Sequence, residues 1–182
     1  DVAVDVQRGH FAVAGAASRL ESKPLPDRVS RGVVALYLFN EPGNVIRDVS
    51  GAGNALDLTI AHPKHVRWIN GGGLSIENPT LIHSQGPAGK IARTCMNNEG
   101  ISIEAWIRPA RDAQGGPARI VTMSKDIGER NFTLGHCGPH DMPAAFGDFY
   151  SLRMRVDGRN TNALPALHTP RHTVETELTH LM

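Results

Sequence analysis

GISIEAWIRP, residues 100–109, is the most strand-like run in the chain. Alternate residues put Ser102, Glu104, Trp106 and Arg108 on one face and Ile101, Ile103, Ala105 and Ile107 on the other, the period of two expected of a strand with one apolar side. A glutamate beside a tryptophan on such a face allows two roles for Glu104, acid catalyst or polar member of a structural strand. Working outward, the same grammar recurs. VRWINGGGLSIEN (66–78) predicts a strand, a triple-glycine turn and a second strand, and ARIVTMSKD (118–126), RNFTLGHC (130–137) and FYSLRMRVDG (149–158) predict three more. Upstream, GVVALYLFN (32–40) is a continuous apolar run that predicts a strand buried on both faces, closed by the Pro-Gly turn of EPGN (41–44). VIRDVSGAGNALDLTI (45–60) predicts a tight loop in which Asp48, Ser50 and Asn54 bond neighbouring backbone amides. No amphipathic helix is expected after residue 30, and no internal repeat is present.

The first thirty residues differ in character. They are alanine-rich and helix-tolerant as far as Ser22, after which Pro24 and Pro26 favour an extended break. The expected division is therefore an irregular or partly helical N-terminal extension or linker over 1–30 and one β domain over 31–182. The chain has 182 residues, 40% hydrophobic and 20% charged, which suffices for a sizeable core. A formal charge of +1 gives no electrostatic case for nucleic acid or an anionic membrane. No apolar stretch reaches the roughly 18 residues that a membrane helix needs. No signal peptide is visible, and Asp1 reads as the start of a processed or trimmed chain, which fits a secreted protein. Cys95 and Cys137 are compatible with a disulfide in an oxidising compartment or with two free thiols.

The ordered segments 32–60, 68–78, 101–109 and 119–135 resemble the laminin-G-like jelly-roll modules of the concanavalin A-like superfamily. The matching pieces are the opening apolar run leading into D-x-S-G-x-G-N (Asp48 to Asn54), the glycine turn and strand from Gly72 to Ile76, the S-I-E-A-W strand (Ser102 to Trp106) and N-F-T-L-G (Asn131 to Gly135). The resemblance implies an all-β, two-sheet antiparallel sandwich within a larger secreted, periplasmic or cell-surface protein. It implies a non-catalytic module that binds polysaccharide or protein, or serves as a structural or assembly unit, with a structural calcium ion in some members. It further implies more strands after ELTHLM (177–182), supplied by the remainder of the polypeptide or by another subunit, since a sandwich ending there would leave open edges.

Several residues are candidates for chemistry. Glycoside hydrolysis needs two carboxylates about 5 Å apart in retaining enzymes and further apart in inverting ones. Sugar-cleaving relatives of this fold place them on one strand as E-x-D-x-E, whereas positions 102, 104 and 106 here are Ser, Glu and Trp. No catalytic residue is assigned, and Glu104 is expected to pair with Arg108 or with an arginine across the sheet. Trp68 and Trp106 are the candidate ligand-binding residues, because an aromatic face suits the C–H face of a sugar ring. Their competing roles are structural, with Trp106 packed inside the sandwich and Trp68 capping its edge. Asp48, Asn54 and Asp57 offer the oxygen donors calcium prefers, although turn formation explains the same residue types. His136, Cys137 and His140, in GHCGPHD, are the candidate transition-metal ligands.

Overall fold

The computed structural model describes residues 2–6, 11–13, 31–112, 118–137 and 148–182. Thirteen strands and one helix follow in order: β1 (Val2–Val6), β2 (Phe11–Val13), β3 (Val45–Ile46), β4 (Leu58–Ile60), β5 (Val66–Trp68), β6 (Leu74–Ile76), β7 (Thr80–Ser84), α1 (Gly89–Asn98), β8 (Ala105–Pro109), β9 (Ala118–Ser124), β10 (Arg130–Cys137), β11 (Phe149–Met154), β12 (Leu167–His168) and β13 (Thr179–Leu181). They form an eight-stranded sheet, ordered β12-β11-β10-β9-β1-β7-β4-β3, and a five-stranded sheet, ordered β13-β8-β2-β6-β5. Every pairing among the described residues is antiparallel. The described residues are thus all-β apart from α1 and one 3-10 turn at Pro63–His65, in keeping with the alternating patterns of the sequence. No helix among the described residues is long and apolar enough to cross a membrane.

Inward residues of both sheets meet in a shared core. Ile46, Leu58 and Ile60 of the larger sheet pack in one cluster with Leu74 and Ile76 of the smaller. Ala105 and Ile107 of β8 join Ile120, Tyr150 and Val174 in a second. The β5–β6 hairpin forms as expected, with Val66 opposite Ile76 and Trp68 opposite Leu74. Its turn holds Gly71, Gly72 and Gly73 at φ of 88°, 108° and 125°, a region that penalises any residue with a Cβ.

Three expectations are corrected. The run 32–40 is not a ladder strand, because its backbone bonds go elsewhere: Leu36 N donates to Asp48 Oδ1 at 3.1 Å, and Leu36 O accepts from Val49 N at 2.9 Å. It lies beside the core, with Tyr37 and Phe39 partly buried and packed against it. The absence of a helix after residue 30 is overturned by α1, where Ile91 and Ala92 turn toward the core. Within the span read as an extension, Val2–Val6 and Phe11–Val13 are strands, β1 between β9 and β7 and β2 between β8 and β6. The remainder of 1–30, including the expected short helix beyond Val13, lies outside the described residues.

Candidate functional site

GISIEAWIRP enters the fold as coil through Glu104 and becomes strand at Ala105. The predicted alternation holds over the strand itself, Ala105 to Pro109. Ala105, Ile107 and Pro109 are buried, whereas Ser102 and Arg108 are exposed. β8 lies between β13 and β2, one strand in from the β13 edge of the smaller sheet. On its outer face Trp106 stands opposite His180 in the ladder. Their rings stack at 4.6 Å between centroids with 25° between planes. His180 Nε2 donates to Glu104 Oε1 at 2.8 Å, with both side chains largely but not completely covered. Glu104 therefore pairs across the sheet with an imidazole, a partner the sequence did not suggest. The pair fixes His180 over one face of the indole and sets a carboxylate beside it.

Farther along the same face, Arg67 and Ser75 are ladder partners. Arg67 and Ser75 both donate to Glu77 Oε1, at 3.1 and 2.7 Å. The outer side of the five-stranded sheet thus carries an aromatic pair toward its β13 edge and a charged, hydrogen-bonded group toward its β5 edge. Trp68 lies on the edge strand β5, the position expected of it, whereas Trp106 is not inside the core. Trp68 packs against the core cluster, and Trp106 stands on the outer face.

The Asp48 loop does a different job. Asp48 has a fully buried side chain and accepts from the amides of Leu36, Ser50 and Leu56 at 3.1, 3.0 and 3.0 Å. Lys90, projecting from α1, forms an ion pair with its Oδ2 and also donates to Ala52 O at 2.9 Å. Burial alone raises the Asp48 pKa, but the Lys90 ammonium and the Leu56 and Ser50 amides outweigh it and hold the carboxyl at about 2. Asp57 Oδ1 accepts from Asp48 N at 2.9 Å and its Oδ2 pairs with Arg47 at 2.6 Å. Asn54 is exposed. The structure thus brings Asp48 and Asp57 together and engages their oxygens with amides and with the cations of Lys90 and Arg47. No group of three metal-ligating side chains occurs among the described residues.

His136 and Cys137 do not converge either. Adjacent residues of a strand point to opposite faces. The buried His136 donates from Nε2 to the carbonyl oxygen of Asp112 at 2.8 Å, and Cys137 Sγ donates to Ser151 Oγ at 3.0 Å. His140 lies outside the described residues. Cys95 and Cys137 are not joined in a disulfide, and burial raises the pKa of Cys95. Iodoacetamide is expected to label Cys95 in the native chain and the buried Cys137 only after unfolding, as read by peptide mass mapping.

Sequence reasoning missed His180 and Lys90, which lie 76 and 42 residues from the carboxylates they bind. Comparison of the chain with models of protein families, with curated proteins and with solved structures finds no match.

Proposed function

We propose that this chain is a non-catalytic recognition module, a laminin-G-like sandwich within a larger secreted or surface protein, and that it binds saccharide on the outer face of the five-stranded sheet. The observation that carries the reading is the Trp106–His180–Glu104 arrangement, an aromatic ring held in one orientation by a stacked imidazole that a carboxylate anchors. Such an ordered ring supplies apolar contact for the C–H face of a sugar, and the neighbouring carboxylate and exposed Arg108 suit its hydroxyls. Calcium has no part in this proposal. Hydrolysis is not proposed, because the positions that flank Glu104 on its own face are Ser102 and Trp106, whereas glycosidic cleavage calls for a second acid.

The test is a glycan array probed in parallel with the 182-residue chain and its Trp106→Ala variant. Binding by the parent is expected, and the variant should lose roughly 30-fold in affinity, the equivalent of about 2 kcal/mol for a central aromatic anchor. Silence of the parent across plant, algal and microbial glycans would overturn the saccharide reading.

A second reading, an assembly module completed by a partner strand, is favoured by one observation. β13 is an edge strand, and the apolar Leu167 of the edge strand β12 and Met182 are 70% and 78% exposed. Concentration-dependent self-association in sedimentation analysis would support it, and a monodisperse monomer would count against it.

A further inference from the structure

We propose that the arginines of β9, β10 and β11 form a binding site for an oxyanion group, a carboxylate, sulfate or phosphate, centred on the guanidinium of Arg130. Arg130 opens β10 and is only 5% exposed. Its backbone amide donates to Thr161 O at 2.9 Å, and its Nη2 donates to the carbonyl of Ile127. Its Nε and Nη1 are buried with no hydrogen-bond partner among the described residues. A buried cation with open donors is costly, and native structures rarely keep one without a counter-charge.

The surroundings add positive charge. The ladder sets Arg119 opposite Gly135 and Arg153 opposite Thr133, so three adjacent strands each contribute a guanidinium to this part of the larger sheet. Burial lowers the Arg130 pKa, and the cations of Arg153 and Arg119 lower it further, with Asp126 opposing them. Asp126 is already engaged, its Oδ1 accepting from the amides of Gly128 and Glu129 at 2.7 and 2.8 Å. Glu129 pairs with Lys125. Among the described residues the acids of the 125–129 turn, Asp126 and Glu129, are thus already engaged, and an incoming oxyanion supplies both a counter-charge and acceptors for Nε and Nη1. Guanidinium is the side chain best matched to such groups. The inference is independent of the Trp106 face.

Thermal unfolding of the 182-residue chain in sodium sulfate, against sodium chloride at equal ionic strength, tests it. The expected result is a saturable rise of a few degrees in the midpoint with sulfate. Arg130→Met should lose that rise and, in chloride alone, unfold at or above the parent midpoint, since the uncompensated buried charge is gone. Arg153→Met, at a partly exposed position, should respond to sulfate with a several-fold weaker half-saturation, which keeps the test decisive if Arg130→Met does not fold. Repeating the titration with inorganic phosphate and with acetate separates tetrahedral from carboxylate ligands. A response that is equal in the parent and the variants, or one that never saturates, would overturn the proposal and leave a general salt effect.

Discussion

Lys90→Met is expected to destabilise the chain by about 3–5 kcal/mol, the cost of removing one partner from a buried ion pair. The Asp48 side chain is fully buried and that of Lys90 is 10% exposed, so neither charge has water to fall back on. The lysine also joins two distant parts of the chain, reaching from α1 to Asp48, Ser50 and Ala52. In denaturant titration the midpoint should fall with little change in slope. The loss follows from an orphaned carboxylate, so adding Asp48→Asn to Lys90→Met should recover part of it. The same pair predicts an acid sensitivity. Asp48 titrates at about 2 in the folded chain against 3.8 ordinarily, so the unfolded state binds the proton more tightly. The corresponding stability, roughly 2 kcal/mol, is fully present above about pH 4 and is lost as pH falls toward 2. Lys90→Met should flatten that part of the pH–stability curve.

Ile107→Ala is expected to cost about 2–5 kcal/mol, through lost burial and the cavity left behind. Ile107 is 1% exposed and belongs to the core cluster shared with Ile120 and Tyr150. Trp106→Ala, one residue away on the opposite face, removes a larger side chain yet should cost only about 1 kcal/mol, essentially its stacking on His180. The contrast is diagnostic of register, since a slip of one residue would exchange the two faces and reverse the order of the effects. Thermal or chemical denaturation of both variants reads it directly.

What the sequence revealed was whatever is encoded locally. The β5–β6 hairpin was legible because three consecutive glycines, all at positive φ, separate two apolar runs. β9, β10 and β11 were legible through apolar runs broken by turn residues. The run 32–40 misled because its apolar composition says nothing about backbone partners. Asp48, a side chain twelve residues away, takes the Leu36 amide that a neighbouring strand would otherwise bond. α1 was hidden because Thr94, Cys95, Asn97 and Asn98 are weak helix formers, and only Ile91 and Ala92 pack on the core. β1 was hidden by reading the alanine-rich stretch after it as helical, although DVAVDV itself alternates. The candidate site divided in the same way. Glu104 and Trp106 were visible from the period of their strand, whereas their partner His180 is assigned only by the pairing of β13 with β8.

The claim that the outer face of the five-stranded sheet is a recognition surface centred on Trp106 is tested most directly by NMR. The two indole N–H resonances, of Trp68 and Trp106, are followed while the chain is titrated with the strongest glycan from the array. The account predicts a saturable shift of the Trp106 resonance, with Trp68, packed on the core, essentially unmoved. A ligand that shifts Trp68 while leaving Trp106 unchanged, or the absence of any glycan that moves Trp106, would contradict it.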